Sequence, residues 1–247
     1  MLELWTSLIR EAEKAWAAGY ASQALQLCDQ AALASPSAIY HAALLRGDVL
    51  MSVGDVTGAL CCYETAANRD QPDPQVDCAR GVALFELCRF PEAEYALQSA
   101  IRQKPDLAPA HFSLGLLYEI TQPGREVEHF RKARRLDAFF FGPKPQLAHD
   151  DFNARIDAAL VRLEVEARQN MNRIQLVVQQ VPSVLELTNT KVFMSPRTPG
   201  LCRPLAQPKP ELMIYKRNLE RICASPEAMI LEIVRVMQEG LRELFGS

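Results

Sequence analysis

A mainly α-helical architecture is expected of this chain, a solenoid of helical hairpins followed by a small α+β domain. Three observations predict it. Small residues recur at intervals of 33 to 35 residues through the first half, the period stops past Leu136, and short β-branched runs then alternate with helical patterns. A length of 247 residues accommodates two units with separate cores. The expected division is a solenoid over 1–138, a linker over 139–150 and an α+β domain over 151–247.

Within the solenoid one small column is Ala24, Ala59 and Ala93, and a second is Ala31, Ala66, Ala100 and Ala133. Gly47, Gly81 and Gly115 align on the first helix of repeats two to four, with Ala12 at that place in repeat one. A large residue precedes the second small column: Tyr63, Leu97 and Phe130, with Cys28 in the first repeat. Pro36 and Pro105 close two repeats, and Gly19 and Gly54 mark the turns between paired helices. The fourth copy loses one residue in its turn and carries Glu126 where a small residue belongs. Small residues let antiparallel helices approach closely while the large one fills the gap, so stacked units bury a core that one unit alone could not.

This pattern, with its Leu114-Gly115-Leu116-Leu117-Tyr118 segment, resembles the tetratricopeptide repeat in four copies. The resemblance implies a concave groove lined by the first helix of each pair. Its fixed places carry Leu44, Asp48 and Met51 in repeat two, Cys78, Val82 and Phe85 in repeat three, and Phe112, Leu116 and Glu119 in repeat four. The groove is largely apolar. The Lys and Asn residues with which some members of that family clamp a C-terminal carboxylate are absent. Two occupants stay open: a protein or peptide partner, or the chain's own C-terminal part.

Past Leu136, Phe139 to Phe141 predict a hydrophobic seal on the last repeat, and Gly142-Pro143-Lys144-Pro145 a linker. The spacing of Phe152, Ile156, Ala159, Leu160 and Leu163 predicts a helix from Asp151 to about Gln169. Ile174 to Val181 predicts a strand ended by Pro182. Six prolines between 182 and 210 predict an irregular excursion with a short strand at Lys191 to Met194, and Leu212 to Tyr215 predicts another strand. Ser225 and Pro226 then open a helix through Ile230, Ile233, Val234, Met237 and Leu241 to Leu244.

This order, with the segment Glu211 to Arg221, resembles the small zincin-like domain of minimal bacterial metallopeptidases. In that family the last helix carries H-E-x-x-H, two His one turn apart holding zinc and a Glu activating the metal-bound water. Here those places hold Gln238, Glu239 and Arg242, and the distal ligand would fall beyond Ser247. A carboxamide and a guanidinium do not replace two imidazoles, and Arg242 adds positive charge where the cation would sit. The resemblance therefore implies a pseudo-metallopeptidase, with no catalytic residue, no metal and no cofactor. Glu239 is expected to pair with Arg242 or Arg235. The chain holds four histidines, and His149 is the donor nearest that helix, so a metallopeptidase with unusual ligands lacks imidazoles.

Charge and cysteines bound the remaining classes. With 27 Lys+Arg against 30 Asp+Glu the net charge is −3, which gives no general pull toward nucleic acid or an anionic membrane. The cluster Arg131-Lys132-Ala133-Arg134-Arg135 follows Glu126 and Glu128 and is expected to be a solvated helix face. No apolar run approaches the roughly 20 residues of a spanning helix. The charged N-terminal segment and seven irregularly spaced cysteines predict a cytoplasmic protein. Cys61, Cys62, Cys78 and Cys88 are expected to be small buried hydrophobes, and Cys202 with Cys223 makes no zinc site. The function expected is a non-catalytic interaction or scaffold protein. The alternatives are an enzyme with unusual ligands and a solenoid whose second domain is only a cap.

Overall fold

Four helical hairpins follow one another through the first half. They are α1 (Leu4–Ala17) with α2 (Ala21–Ala34), α3 (Ile39–Ser52) with α4 (Val56–Ala67), α5 (Pro74–Glu86) with α6 (Phe90–Gln103), and α7 (Ala108–Thr121) with α8 (Glu126–Leu136). The computed structural model describes residues 4–68, 72–142, 146–188, 194–204 and 209–246, and divides into two compact units, Met1–Gly142 and Pro143–Ser247. Local chemistry sets the helix starts. The Asp55 carboxylate accepts the Gly58 N–H, and the Asp73 carboxylate accepts that of Gln75 ahead of Pro74. Both alanine columns are buried, at 0–1% exposure.

The glycine column and the large column meet. A Cβ on Gly47 would lie 2.4 Å from the Tyr63 ring, one on Gly81 2.6 Å from Leu97 Cγ, and one on Gly115 2.7 Å from the Phe130 ring. Repeat one makes the opposite exchange: Ala12 and Cys28 occupy these places, both buried in one cluster. A bulkier first helix is thus matched by a smaller second one, which keeps the hairpin close-packed.

Three of the four interhelix turns share one hydrogen-bond pattern. Gly19 and Gly54 have positive φ, their N–H groups donate to Trp16 O and Met51 O, and the next residues' N–H groups reach back to Ala15 O and Leu50 O. The third turn repeats those bonds with Cys88, at φ 57, where the others use glycine. It is the one described non-glycine residue in the left-handed region.

The end of the repeats differs from expectation. Ala138–Phe141 forms a short helix, α9, capped by the Asp137 carboxylate, which accepts from the Phe139 and Phe140 N–H groups at 3.1 Å. Phe141 packs on Phe112, with centroids 4.9 Å apart, whereas Phe139 and Phe140 are 90% and 75% exposed. Only one of the three aromatics therefore seals the last repeat, because a single helical turn presents one face to it. Pro143 to Pro145 lie outside the described residues.

The second unit is built from α10 (His149–Arg162), α11 (Val165–Met171), β1 (Gln175–Gln179), α12 (Val184–Thr188), β2 (Gly200–Arg203), β3 (Glu211–Tyr215), α13 (Lys216–Ile222) and α14 (Pro226–Phe245). The sheet order is β1-β3-β2, with β1 parallel and β2 antiparallel to the central β3. Phe152, Ile156 and Ala159 of α10, Leu212 and Ile214 of β3, and Ile233, Met237 and Leu241 of α14 make the core. The Ser225 hydroxyl accepts the Ala228 N–H, and Gly246 ends α14 at φ 69.

Two local expectations are corrected here. The helix from Asp151 breaks at Leu163 and Glu164, where the backbone is extended, and the Arg168 guanidinium donates to the freed carbonyls of Leu160, Val161 and Leu163. The break turns Leu163 into the core at 3% exposure. The proline-rich excursion contains α12 and β2. Ser183 and Glu186 form a capping box at the start of α12, and Lys191 to Phe193 of the expected short strand lie outside the described residues, with Met194 outside any strand. No helix among the described residues is long and apolar enough to cross a membrane.

Candidate functional site

The first helices α1, α3, α5 and α7 carry three columns one repeat apart: Ile9, Leu44, Cys78 and Phe112; Glu13, Asp48, Val82 and Leu116; Trp16, Met51, Phe85 and Glu119. Nine of these positions are the groove places expected from sequence. Leu44, Asp48, Met51, Val82, Phe112 and Glu119 are half-buried. Cys78, Phe85 and Leu116 are not, with exposures of 6%, 2% and 4%. Phe85 turns into the hairpin, its centroid 6.1 Å from that of Phe90 at the start of α6. The close approach permitted at Gly81 and Gly115 leaves such large residues inside the wall. Phe112 is partly covered by Phe130 and Phe141.

A cavity of about 410 Å3 lies on this face. Its walls come from Trp16 of α1, Asp48, Met51 and Ser52 of α3, Tyr63 of α4, and Ala79 and Val82 of α5. Three of the expected groove residues, Asp48, Met51 and Val82, thus share one concavity. The sequence reading missed Trp16 and Tyr63 as lining. The repeat register carried the signal, since Trp16 stands 35 residues before Met51.

The polar groups of the cavity are tied to one another. Tyr63 OH donates to Asp48 Oδ1 at 2.8 Å. The Trp16 indole N–H donates to Ser52 Oγ at 3.0 Å, and the Ser52 hydroxyl donates to Val49 O at 2.6 Å. Burial raises the Asp48 carboxyl above its ordinary value, opposed by the Tyr63 hydrogen bond. Burial and the neighbouring Asp48 charge push the Tyr63 phenol well up, so it stays a donor.

In the second unit Gln238, Glu239 and Arg242 lie on α14, Gln238 half-buried and the other two exposed. Of the two partners expected for Glu239, Arg235 takes it, with Nη1 2.5 Å from Glu239 Oε1 and Nη2 on Glu232. A smaller cavity, about 240 Å3, lies between the edge strand β2 and α14, lined in part by Gly200, Cys202, Arg235, Glu239 and Glu243. Among the described residues no three His, Cys, Asp or Glu side chains are grouped to hold a metal ion. His149, at the start of α10, is exposed. The cysteine expectation is corrected in part: Cys78 is buried, but Cys61 is exposed and Cys62 and Cys88 are half-buried.

No protein-family model and no curated protein matches this chain. Solved structures similar to it include TTC0263, a thermophilic TPR protein of Thermus thermophilus, 21% identical over 54% of this chain and 75% of that one, with a TM-score of 0.49. A MamA structure is 22% identical over 51% and 74% of the two chains, with a TM-score of 0.46. YrrB, described as a TPR protein with an unusual peptide-binding site, is 20% identical over 67% of this chain and 81% of its own, with a TM-score of 0.45.

Proposed function

We propose that this protein is a non-catalytic interaction protein, a tetratricopeptide-type scaffold whose groove across α1, α3 and α5 takes a partner's peptide segment. One observation carries the reading: the half-buried residues Asp48, Met51 and Val82, one repeat apart or one turn apart, line a single concavity of about 410 Å3 together with Trp16 and Tyr63. That volume is within the usual range for ligand sites of about 300–1,000 Å3, and an apolar wall with a few placed polar groups is their usual make-up. The test is affinity capture from the native cell with the full chain and with Leu44→Arg/Val82→Arg. Both positions are half-buried, so the charges enter the groove without entering the core. Loss of a partner while the melting temperature holds is expected; unchanged capture would remove the groove.

The finer proposal for the second unit is a degenerate zincin-like domain whose old cleft remains as a second surface. Two things support it: Gln238 and Arg242 at the ligand places, and the cavity between edge strand β2 and α14 that Glu239 borders. An edge strand beside a cleft suits addition of a partner strand. Purified full chain is expected to hold no stoichiometric zinc, and zinc lost together with peptidase activity in Glu239→Gln would sink this reading.

A further inference from the structure

The hydrogen-bond inventory of the groove cavity is one-sided. Tyr63 OH, Ser52 OH and the Trp16 indole N–H each already donate to a neighbour. Asp48 accepts one hydrogen bond on Oδ1, from Tyr63, and its Oδ2 is left for a further donor. Among the described residues lining the wall, Asp48 is the one carboxylate, and none is a lysine or arginine. A ligand entering here therefore finds an unmet acceptor and no unmet side-chain donor. A carboxylate or carbonyl would lose its water and gain nothing, whereas a cation would regain its hydrogen bonds on Asp48.

Two further features have the same sign. The rings of Trp16 and Tyr63 border the cavity, and the negative face of an aromatic ring attracts a cation within about 6 Å. The indole is also held in one orientation by its bond to Ser52. Along the four first helices the three groove columns hold Glu13, Asp48 and Glu119 and no basic residue. The groove is acidic at its charged places, and the basic cluster of α8 lies outside these columns.

We infer that the cavity around Asp48 is a specificity pocket for a lysine or arginine side chain of the bound peptide, its charged end on Asp48 Oδ2 and its aliphatic stem along Trp16, Met51 and Val82. This rests on the groove being the binding face. The stem fits because long cationic side chains bury their methylenes against apolar surface while the head finds its partner. A positive charge beside Asp48 also offsets the cost of keeping a half-buried carboxylate ionised.

The test uses random peptides displayed on phage and selected on the full chain, followed by affinities of synthetic peptides. Enriched sequences should carry a Lys or Arg flanked by apolar residues. Replacing that residue by Met should weaken binding about tenfold, and Asp48→Asn should weaken the parent peptide equally while leaving the Met peptide unaffected. Asp48→Asn still accepts from Tyr63, so its melting temperature should stay close to the parent. Peptides that bind, are lost on Val82→Arg and ignore Asp48→Asn would overturn the pocket and leave the groove standing. Enrichment of acidic peptides would overturn it equally. Binding unaffected by Val82→Arg would remove the groove itself, and the pocket with it.

Discussion

The two units pack by different rules. In the repeats each close contact joins residues of one hairpin, as Gly47 to Tyr63, Gly81 to Leu97 and Gly115 to Phe130 do, and the same contact is made again one repeat later. In the second unit the close contacts join distant segments and occur once. Gly200 of β2 meets Val236 of α14, and Gly240 of α14 meets Leu212 of β3. Local, repeated contacts let one hairpin adjust when another changes, as Ala12 with Cys28 illustrates, whereas a unique contact has no such alternative.

The sharpest break of that contrast is Gly200→Ala. Its Cβ would sit 2.3 Å from Val236 Cγ1 and 2.8 Å from Met213 O, and a backbone carbonyl in a central strand cannot yield. A loss of about 3 kcal/mol is expected by urea unfolding, the upper end for overpacking. Gly240→Ala is the control. It meets only the far end of the Leu212 side chain at 2.6 Å and gains about 1 kcal/mol of helix propensity, so it should stay close to neutral. Equal losses from the two would refute the distinction between rigid and yielding neighbours.

In the repeats the corresponding experiment moves the repeat-one pair into repeat three. Gly81→Ala drives a methyl to 2.6 Å from Leu97 Cγ and should cost about 2 kcal/mol after its propensity gain. Leu97→Cys empties part of a fully buried site and should cost about 2 kcal/mol by itself. The double variant should lose about 2 rather than about 4 kcal/mol, a coupling that measures the size exchange directly. Strict additivity would show that Ala12 and Cys28 are an accident of repeat one.

These contacts also account for what could be known in advance. The alanine, glycine and large-residue columns are legible because each side chain recurs in phase, and the turn glycines because φ > 0 selects them. The inward turn of Phe85 and Leu116 is not legible, since it depends on how closely α5 and α7 approach their neighbours. Nor is the break at Leu163, whose carbonyls are taken up by the Arg168 guanidinium five to eight residues on, a polar contact that leaves no trace in the apolar spacing. The Ser183-Glu186 box is a readable signal, hidden among prolines that favour an irregular chain. At the cavity, Asp48, Met51 and Val82 follow from register, whereas the Trp16 N–H taken up by Ser52 and the Tyr63 hydroxyl taken up by Asp48 emerge only from the folded structure.

A smaller effect separates the third turn from the first two. Cys88 takes the left-handed backbone that Gly19 and Gly54 take in their turns, at a cost of about 1 kcal/mol for a residue with a Cβ. Cys88→Gly gives back part of that to unfolded-chain entropy and to the half-buried thiol, leaving an expected gain of about 0.5 kcal/mol. Thermal unfolding of the variant measures it. A clear loss would mean that the thiol contributes packing that outweighs the backbone strain.

The finest discrimination within the repeats is by pH, at the last hairpin. Pro105 O can only accept, so His111 Nε2, 3.1 Å away, carries a hydrogen, and the Nδ1 atoms of His111 and His129 share one hydrogen across 3.3 Å. Burial first, then the His111 ring, hold the His129 imidazole below its ordinary 6.5, with Glu128 opposing and Arg125 adding to the shift. Tyr118 of α7 packs against the same ring at 5.3 Å. The folded hairpin thus keeps His129 neutral while the unfolded chain takes up a proton below about pH 6.5. Stability contributed by this site is present above that pH and declines as pH falls through it. Amide exchange in α7 and α8 should quicken between neutral pH and mild acid, beyond the change in α1 to α4, and His129→Gln should abolish the excess. An excess that survives the substitution would assign the acid sensitivity to carboxylates instead of the imidazole.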